Sequence, residues 1–308
     1  MTNSLADAYR LLAAESAIWA RSPAHLAALA VMLARGDKLA LRHGGEAPAR
    51  QRGATAIIPI MGPLRRRPSL LMQLFGMTEA STYPGIGRNL ADALADREVK
   101  NILLVIDSPG GSAMGVEELG NDIARAGKIK PVTAIADGLA ASAAFWLGTQ
   151  ATRFVATPSG ELGGIGVFLL HVDASRMVDS AGLTPTFLFS DVSPFKVEGN
   201  PLEPLTEDAR NFLQGEVNTI GRNFVRAVAR GRKVTESTVT TLFGGGRVLL
   251  ASAARRVGMV DEIQTFDQAL SQSLGVQRGG SAVSLTSSRP VSAKHNPRHR
   301  RLAILRRA

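Results

Sequence analysis

From Ile102 to Ile106 the chain runs through five consecutive apolar residues and then stops abruptly at Asp107-Ser108-Pro109-Gly110-Gly111. An unbroken apolar run bounded by breakers predicts a strand buried on both faces. Val116, Leu119 and Ile123 then recur at helical spacing among Glu117, Glu118 and Asp122, so a helix follows the glycine turn. Pro131 to Asp137 predicts a second buried strand, Gly138 the turn after it, and Ala140 to Leu147 the start of an apolar helix. Arg153 to Ala156 and Gly164 to His171 are further strand candidates. Strands alternating with helices predict an α/β domain. The longest helix is expected after Thr206, a capping residue followed by the acids Glu207 and Asp208. Leu213, Val217, Ile220, Phe224 and Val228 mark one face of it as far as Gly231, its expected stop.

The two ends read differently. Residues 1–50 are rich in alanine and leucine, and Leu5, Leu11, Leu12, Ile18 and Trp19 predict a helix that packs on the core or on a partner. Glycine, proline and arginine between Gly44 and Gly53 predict a linker. The best apolar stretch here, Ala24 to Ala34, lies between Arg21 and Arg35 and is too short to span a bilayer. With no basic n-region at the start, the expectation is a cytoplasmic protein without membrane insertion. Arg65-Arg66-Arg67 before Pro68 to Met72 predicts a loop with an apolar tip. Residues 268–308 carry eight Lys or Arg and no acid, most of the formal +10 of the chain. Ser, Pro and Gly accompany that charge, so residues 276–308 are expected to be a disordered basic tail, with nucleic acid or an acidic protein surface as its candidate partners. Between the extensions, residues 51–275 are expected to form one domain; at 45% hydrophobic content the chain can bury a full core. The absence of cysteine excludes disulfides and thiol catalysis. No cluster of His with acids stands at metal spacing, so neither metal nor cofactor is expected.

Candidate chemistry lies in Ser142, within Ala136-Asp137-Gly138-Leu139-Ala140-Ala141-Ser142, and in Lys196, 54 positions later within Ser193-Pro194-Phe195-Lys196. A serine hydroxyl needs a base to become a nucleophile near neutral pH, and a lysine amine serves if burial keeps it neutral. Each residue also has an inert reading, as a small helix contact and as a solvated charge. The predicted strand and helix around Ser142 put it near a helix N-terminus, where the dipole favours negative charge on its oxygen. Gly110 and Gly111 let the backbone approach a ligand and aim N–H groups at an oxyanion.

Asp-Ser-Pro-Gly-Gly-Ser, Gly-Leu-Ala-Ala-Ser-Ala-Ala-Phe-Trp, Gly-Gly-Ile-Gly-Val and Pro-Phe-Lys with Pro-Leu-Thr-Glu, in that order, resemble the signal peptide peptidase A type of serine peptidase from about Ala54 to Leu270. Within that group the chain most resembles phage and prophage head-maturation proteases. The resemblance implies a Clp protease/crotonase-like spiral of ββα units that assembles into homo-oligomeric rings. It implies a serine endopeptidase that processes capsid or scaffold proteins, in the host cytoplasm or the phage procapsid. Ser142 would be the nucleophile and Lys196 the general base, with the oxyanion held by Gly110, Gly111 and the N–H of Ala143. Ala143-Ala144 stand where many relatives have a glycine, which bears on pocket shape.

His171, with Asp173 two residues on, is the competing base, by analogy with the Ser-His-Asp triad of the Clp proteases. Activity that rises with pH above neutrality is expected of the lysine; a profile governed by a group near ~6.5 would assign the base to His171. The alternative to an enzyme is a catalytically idle assembly or scaffold protein of the same fold. A crotonase-like acyl-CoA enzyme is a third reading, which leaves the joint occurrence of the Ser142 and Lys196 contexts unexplained. The lysine reading carries one structural requirement, that the folded protein bring a dry amine within hydrogen-bond reach of Ser142.

Overall fold

The computed structural model describes residues 49–67 and 81–275, together with the backbone at 19–21 and 289–290. In chain order the elements are β1 (Trp19–Arg21), β2 (Arg50–Arg52), β3 (Thr55–Met61), α1 (Tyr83–Ala95), β4 (Asn101–Ser108), β5 (Gly110–Ser112), α2 (Val116–Ala126), β6 (Val132–Ala141), α3 (Ala143–Thr149), β7 (Arg153–Ala156) and β8 (Glu161–Gly163). After these come α4 (Ser175–Ser180), α5 (Glu207–Arg232), α6 (Glu236–Leu242), β9 (Val248–Leu250), α7 (Ala251–Val257), β10 (Glu262–Ile263), α8 (Phe266–Ser273) and β11 (Arg289–Pro290).

The apolar run at Ile102 to Ile106 lies in β4, at the middle of a sheet ordered β10-β7-β6-β4-β3-β2-β11. Every pairing from β10 to β3 is parallel, and β2 and β11 close the edge antiparallel. The run is continuous because both faces are covered, as parallel sheets require. Ile102, Leu104 and Ile106 point into the larger core, whereas Leu103 and Val105 join Ile135 and Val155 under Ala269 and Leu270 of α8. The architecture is thus mixed α/β with a parallel-rich sheet, as the alternation of elements predicts.

Helix α3 lies wholly inside the larger core, its seven residues all buried. Phe145 meets Phe154 of β7 at 5.8 Å between ring centroids, and Trp146 stacks on Phe224 of α5 at 4.8 Å. Thr206 caps α5 by accepting a hydrogen bond from the Ala209 N–H, as expected of it. The C-terminal half of the helix is seated through Phe224, Ala227, Val228 and Ala229, and Ala209 is buried in its first turn, while Leu213, Val217 and Ile220 between them are half-buried.

Several expectations are corrected. Gly164 to His171 does not form a strand: β8 ends at Gly163, and positive φ at Gly163, Gly164 and Gly166 breaks the extended backbone. Gly138 is a bulge inside β6 rather than a turn after it, because two steps along β4 from Ile106 to Ser108 match four along β6 from Ala136 to Ala140. Ala140 and Ala141 consequently end the strand, and the helix starts at Ala143. Gly231 does not stop α5, which runs to Arg232 and closes on left-handed Lys233. The glycine is needed for close approach instead, since a Cβ there would stand 2.1 Å from the Thr149 carbonyl oxygen. Trp19, expected in a helix, is in β1, and the end of the expected linker forms β2. The N-terminal helix up to Ile18, the tip of the loop at Pro68 to Met72 and the tail apart from Arg289–Pro290 lie outside the described residues.

Asp261 ties the end of α5 to the sheet. Its carboxylate accepts from the Phe154 N–H at 2.7 Å and from both terminal nitrogens of Arg232 at 2.7 and 3.2 Å, while Arg232 Nε donates to the Gly258 carbonyl at 3.1 Å. Burial works to raise the Asp261 pKa, but the hydrogen bonds from Arg232 and Phe154 and the charges of Arg232 and Arg153 together bring it below the usual carboxylate range. A depressed folded-state pKa means stability that is present above the unfolded value and lost as pH falls through the folded one. Asp261→Asn is expected to cost about 1.5–3 kcal/mol at pH 7, the range for hydrogen bonds to charged groups. Denaturant melts at pH 7 and pH 3 check this, and the cost should shrink at the lower pH.

Candidate active site

Ser142 occupies the sharp turn between β6 and α3, with φ 54° and ψ −121°. Positive φ in a residue with a Cβ is strained, and such strain persists only where surrounding structure imposes it. Here the imposition is visible. The Ser142 N–H donates to the Gly163 carbonyl at 2.7 Å, and the Ser142 carbonyl accepts from the Trp146 N–H at 2.9 Å, opening the helix. The backbone is held from the sheet on one side and from α3 on the other, leaving the side chain no choice of direction. Ser142 is buried, and among the described residues its Oγ has no hydrogen-bond partner. A buried hydroxyl without a partner costs about 1–3 kcal/mol, so it calls for a reason other than packing.

Beside α3 runs β5, which carries the two glycines. Leu64 N–H donates to the Gly110 carbonyl at 2.8 Å, and Ser112 N–H donates to the Leu64 carbonyl at 2.9 Å. Gly111, between them, turns its own N–H and C=O to the opposite edge, because successive residues of an extended strand alternate. A Cβ on Gly111 would lie 1.8 Å from the Leu64 carbonyl oxygen, so the position admits glycine alone. The Gly110 N–H is already engaged, donating to Ser108 Oγ at 3.1 Å, while the Ser108 hydroxyl donates to the Gly62 carbonyl at 2.6 Å. Ala143 opens α3, where first-turn N–H groups have no partner within the helix. The Gly111 N–H thus faces the edge of β5 away from Leu64, and the Ala143 N–H lies in the first turn of α3.

Sequence reasoning missed the supports of this arrangement. Asp107 Oδ1 accepts from the Leu139 N–H at 3.2 Å across the bulge, and a Cβ on Gly138 would meet that oxygen at 3.0 Å. Tyr83 donates its hydroxyl to the Ser112 carbonyl at 2.5 Å and fixes the end of β5. The serine of Asp-Ser-Pro-Gly-Gly was a signal for the Ser108 turn. Nothing local marks Leu64 or Tyr83.

Lys196 makes no hydrogen bond with Ser142 Oγ. It is exposed in a run of turns, where its backbone N–H donates to the Ser193 carbonyl at 3.1 Å. The surrounding arm, residues 164–206, carries little regular structure besides α4, which buries none of its residues. Ile165 and Val167 pack on the core, but other apolar side chains of the arm face outward: Leu188 is 94% exposed, Val192 93% and Phe195 69%. His171 does not reach the serine either. Its Nε2 lies 3.1 Å from the Asn200 carbonyl, to which it donates, and Asp173 accepts from the Ser175 N–H at 2.9 Å. A hydrogen bond from the Ser175 side chain, followed by the one from its N–H, holds the Asp173 carboxyl below its ordinary range.

Comparison with known proteins places these residues in context. The pattern that defines peptidase family S49 matches residues 124–274, a span that includes both Ser142 and Lys196. The chain is similar to head-tail preconnector protein GP5 of Enterobacteria phage P21, at 32% identity over 263 residues, covering 83% of this chain and 51% of that protein. It is similar to capsid assembly protease C of Escherichia phage lambda, at 31% over 243 residues, covering 77% and 54%. Protease 4 of Haemophilus influenzae is 30% identical over 192 residues, covering 61% and 30%. The chain spans about half the length of the two phage relatives. Among the described residues no helix is long and apolar enough to cross a membrane.

Proposed function

This chain belongs to peptidase family S49, and from that membership we propose that it is a serine endopeptidase acting on capsid or scaffold proteins during phage head assembly. The observation that carries the reading is Ser142 itself, strained, buried and without a hydrogen-bond partner among the described residues, at the start of a buried helix and beside a glycine strand. The choice of substrate rests on the phage relatives, one of which bears the name capsid assembly protease.

In this reading Ser142 Oγ attacks the carbonyl carbon of a peptide bond. The Gly111 and Ala143 N–H groups stabilise the oxyanion, each donor contributing about 10²–10³ in rate. The Lys196 amine takes the serine proton, passes it to the leaving amine, and then draws a proton from the water that hydrolyses the ester. Lys196 is the part that requires assembly. An arm with Leu188, Val192 and Phe195 turned to solvent gains by burial against another surface, and a second copy of this chain supplies one. Packing the arm on a neighbour would dry the lysine and carry it toward that neighbour's serine.

The test pairs a serine-directed fluorophosphonate with complementation. Assembled wild-type protein is expected to label at Ser142, with activity that rises with pH above neutrality; Ser142→Ala and Lys196→Ala are each expected to be inactive. Mixing the two variants should restore part of the activity if the lysine comes from a neighbouring copy. No rescue, with active wild type, would place the lysine in the serine's own chain. Absence of labelling in the assembled wild type would leave the idle assembly protein as the better reading.

A further inference from the structure

The edge of β5 that bears the Gly111 N–H is occupied by the chain itself. Strand β1 lies antiparallel along it, with Trp19 opposite Ser112, Ala20 opposite Gly111 and Arg21 opposite Gly110. The Leu64 side of β5 is used by the Gly110 carbonyl and the Ser112 N–H, so Gly111 and Ala20 face one another through their backbone groups. This is how an extended peptide docks by strand addition, with main-chain hydrogen bonds holding it and the register deciding which residue meets which donor. If Gly111 holds the oxyanion, the carbonyl it holds is that of the residue opposite it. That residue is Ala20, and the bond that follows is Ala20–Arg21.

We propose that the Ala20–Arg21 peptide bond is a cleavage site for Ser142, and that β1 fills the β5 edge until it is cut. The proposal rests on the peptidase reading of Ser142 given above. Two further features agree with it. The Ser142 hydroxyl has no hydrogen-bond partner among the described residues, as a nucleophile awaiting its base would not. Finally, β1 and β5 form a two-stranded sheet apart from the main one, so removing β1 leaves the central pairing intact.

In the step itself, Ser142 Oγ bonds to the Ala20 carbonyl carbon and the carbon–nitrogen bond to Arg21 breaks. The serine proton passes through the base to the nitrogen of Arg21, which leaves as a free α-amine. Water then attacks the ester, giving its OH to the Ala20 carbonyl carbon and a proton back to Ser142 Oγ. The products are a peptide ending in the Ala20 carboxylate and a chain that begins at Arg21. Departure of that peptide frees the β5 edge for another substrate, so the same cut is also the step that opens the site.

Purified full-length wild type, Ser142→Ala and Arg21→Pro are incubated after assembly, and their termini are read by intact mass and peptide mapping beside fluorophosphonate labelling. A new terminus at Arg21 in wild type, absent from Ser142→Ala, supports the proposal. Arg21→Pro is expected to stay uncut and to label at Ser142 less than wild type, because proline in place of Arg21 restricts the backbone at the bond to be cut and the uncut β1 stays on the β5 edge. Wild type that labels at Ser142 but keeps the Ala20–Arg21 bond, or is cut elsewhere only, overturns the proposal and leaves the peptidase reading standing. Wild type that neither labels nor is cut overturns both.

Discussion

Replacing Ser142 by glycine is expected to make this protein more stable and inactive at once. Two costs disappear together. A residue with a Cβ held in a sparsely populated backbone region costs about 1–3 kcal/mol, and Ser142 sits at φ 54°. Its buried, unpartnered hydroxyl costs about 1–3 kcal/mol more. Against these stands the extra freedom of glycine in the unfolded chain, about 0.5–1 kcal/mol. The net expectation is a gain of about 1–5 kcal/mol, read from denaturant midpoints at unchanged slope. Activity should fall by about 10⁴-fold or more, the scale seen when a nucleophile is removed from a coupled set. Ser142→Ala should be equally inactive but gain less, because it keeps the Cβ and with it the strain. A serine that served only packing would show the reverse order, with glycine the more damaging change.

Gly111→Ala should lose stability and activity together, for a different reason. Its Cβ would fall 1.8 Å from the Leu64 carbonyl oxygen, and that oxygen is backbone, not the far end of a flexible side chain. The strand must move off Leu64 and give up the two hydrogen bonds that hold it, from Leu64 N–H to Gly110 and from Ser112 N–H to Leu64. A cost of about 3 kcal/mol or more is expected from the overpacking and the lost pairing. Displacing the Gly111 N–H should also lower kcat about 10²–10³-fold per folded molecule. Measuring activity alongside the folded fraction separates the two effects. Full activity per folded molecule would remove Gly111 from the oxyanion hole.

Much of this arrangement was legible locally. The unbroken run at Ile102 to Ile106, the helical spacing of Val116, Leu119 and Ile123, and the Thr206 cap each concern residues within a few positions of one another. Backbone periodicity and capping act at that range, so the sequence determined most strand and helix types, their α/β alternation and the place of Ser142 near the start of a helix. The glycine pair, expected as a turn, forms the strand β5 instead. The misread segments lie where a distant contact overrode the local pattern. The Gly138 bulge is shaped around Asp107, and Gly231 is needed by the Thr149 carbonyl, not by the end of a helix.

What only the tertiary structure decided is how these parts meet. The Ser142 strain exists because Gly163 and Trp146, on opposite sides of the turn, hold its backbone. Leu64, 47 positions from Gly111, determines which edge of β5 presents the Gly111 N–H. The same registry sets Ala20 against that N–H and leaves Lys196 outside on an arm with its apolar residues exposed. Pairing across such separations depends on which surfaces are left uncovered after the core has closed, a property of the whole fold and not of any window of sequence. Residue types and spacing determined the candidate chemistry here. Register and burial decided which backbone donors face it and which residue of the chain they hold.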